Sequence, residues 1–438
     1  MKKSIILTIV TSMCILSSCG KTVGSDKENI NETENVTEST SSTEIQASES
    51  KTEQSEIPTQ TKTERVIKKD IPESVVLEYT GDLEVYQNIT VGELITDTNA
   101  VIAEPEQVVD TTETGGKSID VIFEYEGNFY KKKLEYTVSD TTDPLILNMG
   151  WDPYTRKGEN FDINSIIGYV DNFDRSPEVS YSGEVNTSEV GHYPISVTVS
   201  DHSGNSTSWD MEVFVVNEIP APEDNNPRVT FSDFMNYYCY ENVSYGIDVS
   251  AWQTNVDYEA VRSEGCEFVI MRMGYCYGEI KMDDYYMQNM ERATNAGLDV
   301  GVYFYTTANT EDKAREQARW IVEQLDGREL DYPVAFDWEE WGRFQKYEMN
   351  IHDLNEVFEA FCDELEKNGY TGMLYSSKNF LNTFWENKRN RPVWLAHYVD
   401  ETDYEGSFAI WQASAYGRIN GIDGDVDMNI RIKDVPVW

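Results

Sequence analysis

The sequence predicts a multidomain chain ending in an α/β barrel of the TIM-like (β/α)5(β)3 type, preceded by two small all-β sandwiches. Three observations predict it. At 438 residues the chain is too long for one ordinary domain. Between about residues 66 and 218 it consists of short alternating runs punctuated by turn residues, and these runs repeat once at a displacement of 76 positions. Near Tyr245 the pattern then switches to strands alternating with helical periods.

The N-terminus comes first in chain order. Met1-Lys2-Lys3 leads into an apolar stretch from Ile5 to Leu16, a charged n-region followed by an h-region too short to span a bilayer. It closes on Leu16-Ser17-Ser18-Cys19-Gly20, which resembles the lipobox of bacterial lipoproteins. That resemblance implies a signal peptide over residues 1–18 and lipidation of Cys19. The chain is then expected to be exported and held on the outer face of the bacterial membrane, facing the wall, by more than one acyl chain. A plain secretory peptide with an incidental cysteine is the alternative. Residues 19–65 are Ser, Thr, Glu and Lys with few large apolar groups. Such a segment buries too little surface to offset its ordering entropy, so a disordered tether is expected.

Charge and composition exclude several function classes. The net charge is -44, with 79 acidic against 35 basic residues, which argues against a nucleic-acid partner. The four histidines are scattered, and no HExxH or CxxC spacing occurs, so no metal is expected. A nucleophile elbow for a Ser-His-Asp hydrolase is also missing. Cys239, Cys266, Cys276 and Cys362 allow three full pairings, although Cys266 and Cys276 flank one strand and should lie too far apart to bridge.

In the repeat, Val109-Asp110-Thr111-Thr112-Glu113-Thr114-Gly115 aligns with Val185-Asn186-Thr187-Ser188-Glu189-Val190-Gly191. Boundaries follow at 66–142 and 143–218, each the size of a small β-sandwich. The second unit carries Asp143-Pro144, Val170-Asp171-Asn172, Gly191-His192-Tyr193 and Val199-Ser200-Asp201-His202-Ser203-Gly204-Asn205. With these it resembles the immunoglobulin-like modules of bacterial surface proteins, and the first unit does so more weakly. Neither unit shows a chemical constellation, so both read as rigid spacers before wall-binding modules. Residues 219–243, with Pro220, Pro222 and Pro227, read as a linker whose aromatic distal part packs on the next domain.

Over 244–438, strands are expected at 245–249, 268–273, 300–305, 334–338, 373–376, 393–397, 408–412 and 426–430, with helices such as 311–324 and 354–367 between the earlier ones. Eight strands suggest a closed parallel barrel. Only ten residues separate His397 from Phe408, too few for a helical crossover, so five βα units should precede three strands with little helix.

Active sites of such barrels sit at the C-terminal strand ends. There the sequence places Asp248, Asp337, Glu339 and Asp427. Asp337 and Glu339 lie two apart and share a face, with Trp338 opposite. Acids ending an apolar run such as Tyr332-Pro333-Val334-Ala335-Phe336 are costly unless used or paired. Converging carboxylates suit glycoside hydrolysis, because mutual repulsion keeps one acid protonated. The plainer alternative is a set of ion-paired structural acids.

The motifs 245–253 (Tyr-Gly-Ile-Asp-Val-Ser-Ala-Trp-Gln), Phe336-Asp337-Trp338-Glu339, Leu374-Tyr375-Ser376, Trp394-Leu395-Ala396-His397-Tyr398, Ile410-Trp411-Gln412 and Asp425-Val426-Asp427-Met428-Asn429 occur in order. In them the segment resembles glycoside hydrolase family 25, the N-acetylmuramidases. The resemblance implies cleavage of the β-1,4 bond between N-acetylmuramic acid and N-acetylglucosamine of peptidoglycan, without metal or organic cofactor. It implies Glu339 as general acid/base and Asp337 as the acid steadying the N-acetyl group. Asp248 and Asp427 become flanking acids that hold the site and bind substrate. Among the strand-end aromatics, Tyr305, Tyr375, Trp394, Tyr398 and Trp411 are the expected glycan contacts, whereas His397 reads as structural. Two alternatives stand beside this reading: a wall-binding surface lipoprotein without catalysis, and a hydrolase of chitin-like polymers, which the missing D-x-x-D-x-D-x-E pattern weakens.

Overall fold

The computed structural model describes residues 66–150, 153–221 and 225–438. The expected signal peptide, Cys19 and the tether lie outside the described residues. The repeat is visible as geometry. Gly115 and Gly191 each open the first strand of a long hairpin, Gly115–Tyr125 with Asn128–Ser139 and Gly191–Ser200 with Ser206–Val216. In both hairpins apolar residues alternate inward, and each builds its own core, around Phe123, Leu134 and Val138 in the first unit and Val197, Val199 and Val213 in the second. A parallel edge strand joins the second strand of each hairpin, Asp82–Glu84 in one and Tyr154–Arg156 in the other.

The C-terminal part is a closed sheet. Its strands are β1 (Val243–Val249), β2 (Phe268–Cys276), β3 (Asp299–Tyr305), β4 (Val334–Asp337), β5 (Gly372–Ser377), β6 (Val393–Ala396), β7 (Ile410–Arg418) and β8 (Val426–Ile432). β1 to β7 pair in parallel in that order. β8 closes the ring between β7 and β1, and it is antiparallel to both. An all-parallel barrel is therefore corrected at the last strand. The reason lies in the connection: only residues 419–425 join β7 to β8, enough for a hairpin and too few for a parallel crossover. The helix-poor end of the barrel is as expected, with no helix among the described residues between β6 and β8.

Side-chain alternation sorts the barrel into inside and outside. Phe268, Ile270, Ala335, Met373 and Trp394 fill the interior, while their strand neighbours Val269, Met271, Phe336 and Leu374 pack against the helices. Gly246 is required by close approach, since a Cβ there would stand 2.5 Å from the Phe268 carbonyl oxygen. The aromatic end of the linker forms the helix Phe231–Tyr237, whose Phe231 and Phe234 are buried in the barrel's outer core.

The second β unit is docked on the barrel. Val170 belongs to the barrel's core, and the Asp171 carbonyl accepts the Ile351 N–H at 2.9 Å. Ile351 opens the helix Ile351–Glu366, which Asn350 and Asp353 cap reciprocally. The same two residues hold the β unit: Asn350 Nδ2 donates to the Phe173 carbonyl at 2.6 Å, and Arg175 grips Asp353 with two bonds of 2.6 and 2.8 Å. The first unit reaches this cap too, with Tyr86 stacked on His352 at 3.6 Å. Cys239, Cys266, Cys276 and Cys362 are all free thiols.

Candidate active site

The period of two that fills the barrel interior also aims the polar residues. Asp248 follows Gly246 on the inner face of β1, and Asp337 follows Ala335 on that of β4. Glu339 lies just past the end of β4, while Trp338 between them turns outward and donates its indole N–H to the Ala308 carbonyl at 3.2 Å. Asp427 sits near the start of β8, directly across from Asp248. Because β8 is antiparallel, its beginning lies at the C-terminal mouth, so the acid arrives where it was expected by a different route.

The four expected acids thus gather at one mouth, and burial raises the proton affinity of each. Burial pushes the Asp337 carboxyl well above its ordinary value, with the charges of Glu339 and Asp248 next, and Arg272 opposes. Glu339 retains solvent-facing surface but is packed round by protein. That packing, then Glu340 and Asp248, pushes its carboxyl up to about 7. Asp248 is pushed up to about 6 by burial, against the stabilising bonds it accepts. Asp427 is held well above its usual range by burial and by Asp248, to which it is hydrogen-bonded. That bond raises Asp427 and lowers Asp248, so Asp427 carries the proton of the pair.

Two residues without an assigned role fix this pair. Gln412 Nε2 and Asn429 Nδ2 donate to Asp248 Oδ2 at 2.9 and 2.7 Å. The Gln412 carbonyl in turn accepts from the hydroxyls of Tyr375 at 2.9 Å and Tyr398 at 2.7 Å. Asn429 Oδ1 accepts the indole N–H of Trp394 at 2.8 Å. Each amide is therefore oriented, and with it the carboxylate it serves. On the other side Tyr305 donates to Glu340 at 2.9 Å, and Tyr347 donates to the second oxygen of that acid at 2.8 Å. Arg272, whose charge faces Asp337, is fastened to the buried Asp283.

The expected sugar contacts divide. Tyr305 and Tyr375 are half-buried at the mouth, and Tyr398 is 41% exposed. Trp394 and Trp411 are corrected: both are only 2% exposed, with their indole N–H groups satisfied by protein. Trp394 is part of the interior packing, edge-on to Tyr375 at 4.7 Å. Trp411 points out of the barrel against Tyr238, because Ile410 and Gln412 on either side of it point in. Trp252, another of the strand-end aromatics, is 71% exposed, and so is Tyr277, which no motif singled out, at 53%. His397 bonds Thr402 at 2.9 Å, away from the acids. Among the described residues, three carboxylates close enough to share a cation occur only at Asp140, Asp171 and Asp201, outside this mouth.

The raised acids make stability fall with pH. A carboxyl whose folded value exceeds its ordinary value of 3.8 or 4.5 binds its proton more tightly when folded. Its contribution is complete below that ordinary value and is lost as pH climbs through about 6 for Asp248 and about 7 for Glu339. Asp427→Asn keeps a donor toward Asp248 and removes one ionisation. The variant should melt higher than the parent at pH 8 by about 2–4 °C, and the gap should close near pH 4. Thermal melts across that range test this, and a gap that widens toward acid would refute the proton assignment.

Comparison with known proteins then places the domain. Residues 247–422 match the model of the Glycosyl hydrolases family 25. An uncharacterised Escherichia coli K12 protein, YegX, is 28% identical over 221 residues, covering 46% of this chain and 79% of that one. The autolytic lysozyme of Clostridium acetobutylicum is 29% identical over 188 residues, covering 42% of this chain and 54% of that one. Among solved structures, the bacterial lysozyme from Streptomyces coelicolor aligns with a TM-score of 0.35 and 23% identity, over 42% of this chain and 90% of that one.

Proposed function

We propose that residues 244–438, which contain a family 25 glycosyl hydrolase domain, hydrolyse the β-1,4 bond between N-acetylmuramic acid and N-acetylglucosamine in peptidoglycan. One observation carries the reading. A carboxyl pushed up to about 7, Glu339, stands two residues from a buried carboxylate, Asp337, whose Oδ1 has no hydrogen-bond partner in the protein. The pair thus sets a proton beside a buried acceptor that no group of the protein uses.

Glu339 gives its proton to the glycosidic oxygen as the bond to the anomeric carbon breaks, and the 4-hydroxyl of N-acetylglucosamine leaves neutral. Asp337 holds the N-acetyl group of the muramic acid residue through its free oxygen, so that positive charge developing at the anomeric carbon is met from within the site. Water then adds its oxygen to that carbon and returns a proton to the Glu339 carboxylate, closing the cycle. Asp427 and Asp248, locked by Gln412 and Asn429, form the wall opposite. Tyr305, Tyr375 and Tyr398 offer ring faces and hydroxyls to the sugars, joined by Trp252 and Tyr277.

The finer architecture belongs to the same proposal. The barrel is a (β/α)5(β)3 variant of the TIM type with its eighth strand reversed, and the two β units are immunoglobulin-like modules that carry it. Lipidation at Cys19 places the chain on the outer membrane face, within reach of the wall. Mass spectrometry of purified peptidoglycan after digestion with the full chain tests the chemistry. Fragments ending in reducing N-acetylmuramic acid are expected. Fragments ending in reducing N-acetylglucosamine would overturn the bond assignment, and uncut glycan would favour a binding protein.

A further inference from the structure

The first β unit contributes Asp140, directly after its last strand. The second unit contributes Asp171, after the short strand Tyr169–Val170, and Asp201, at the tip of its long hairpin. One oxygen from each carboxylate lies within 4.8 Å of those of the other two, and all three residues are buried, Asp171 completely. Three anions in one buried pocket repel strongly unless something neutralises them.

The protein does not do so. Among the described residues none of the three forms an ion pair with Lys, Arg or His; the nearest imidazole, His202, is taken by Asp174 at 2.6 Å. Asp140 and Asp171 instead accept on one oxygen only, Asp140 Oδ1 from the Thr142 N–H, whereas both oxygens of Asp201 accept. Asp171 Oδ1 accepts the N–H groups of Phe173 and Asp174, and Asp201 Oδ1 accepts those of Gly204 and Asn205. Asn205 Nδ2 bridges Asp201 Oδ2 to the Asp140 carbonyl. This leaves Oδ2 of Asp140 and Oδ2 of Asp171 buried with no hydrogen-bond partner, and Asn172 Oδ1 likewise. Oriented, desolvated, unpartnered oxygens of uniform hardness are what an oxygen-seeking cation requires, and nitrogen or sulfur ligands are lacking.

We propose that a calcium ion binds between Asp140, Asp171 and Asp201 and locks the two β units to each other and to the barrel. The position gives the site its reach. Asp171 passes its carbonyl to Ile351, and Phe173, two residues on, passes its own to Asn350. Both donors sit at the start of the helix Ile351–Glu366. Calcium suits irregular geometry completed by carbonyls and water better than magnesium, which demands a near-ideal octahedron.

The test uses the full chain, stripped with chelator and titrated with calcium chloride by calorimetry, with thermal melts in parallel. A dissociation constant of about 0.1–1 mM is expected, as in extracellular modules. Saturation at about 10 mM calcium should raise the melting temperature by roughly 3–8 °C. Asp140→Asn and Asp171→Asn keep the local hydrogen bonds and remove one repelling charge. Each should melt at or above the parent in chelator and below it in calcium, with binding weakened at least about tenfold. No binding heat and no melting shift at about 10 mM calcium would overturn the proposal. Binding unchanged in both variants would overturn it as well, and an equal response to magnesium would overturn the choice of ion.

Discussion

Glu339→Gln should lower the rate of glycan cleavage by about 10²–10⁴-fold while the melting temperature stays level or rises slightly. Glutamine preserves the shape of the side chain but has no proton to give the leaving oxygen. It also removes a charge that pushes up Asp337, so no stabilising contact is lost. The parent enzyme should show the complementary pH behaviour. A carboxyl at about 7 is protonated below that value, so turnover should decline as pH rises through it. The residual activity of the variant should lack that limb. Reducing-end assays on purified peptidoglycan from pH 5 to about 9, beside melts of the same samples, measure both effects. A variant as active as the parent would remove Glu339 from the chemistry.

Much of this site was legible because two signals coincided. Acids at the ends of apolar runs are anomalous, and the period of two says which way they face. Asp248, Asp337 and Glu339 could be placed on these grounds alone. The same alternation, applied one strand further, would have shown that Trp411 must face outward if Gln412 faces in. Nearness to a strand end does not decide which face an aromatic takes; parity along the strand does. Trp394 failed for a different reason: it does face inward, but one layer below the mouth, and depth along a barrel axis leaves no mark in a single strand's pattern. The reversed β8 was within reach, since its short connection already excluded a parallel crossover.

Other features were not legible because they join residues that pattern cannot connect. Asp140, Asp171 and Asp201 are each about thirty residues apart, and each looks like an ordinary turn aspartate, as two of them locally are. Only the docking of one unit on the next brings their free oxygens together. The second unit's contacts with Asn350, Ile351 and Asp353, and the stacking of Tyr86 from the first on His352, join sequence-distant residues in the same way.

Asp283→Ala is expected to destabilise the chain by about 3–5 kcal/mol, a fall of roughly 6–20 °C in melting temperature. Asp283 lies just past a short strand, Ile280–Met282, that folds back on β2, and its side chain is fully buried. One carboxylate oxygen accepts from Arg272 at 2.7 Å and from the Ala251 N–H at 2.9 Å; the other accepts the Tyr285 N–H at 3.0 Å. Alanine would strand a largely buried guanidinium and two backbone donors together, which costs far more than losing one exposed ion pair. The damage should reach the site along two paths. Ala251 opens the turn that follows Asp248, and a released Arg272 would be drawn toward Asp337, lowering its carboxyl and occupying the oxygen proposed to hold the N-acetyl group. Activity should therefore fall by more than the unfolded fraction explains, even well below the melting point. Asp283→Asn, which keeps one acceptor oxygen for Arg272 and the Ala251 N–H, should lie between parent and alanine in both readouts. Equilibrium urea unfolding with activity measured on the folded plateau separates the two effects. An alanine variant within about 1 kcal/mol of the parent would mean that Arg272 finds another anion at little cost, and Asp337 is the one within its field.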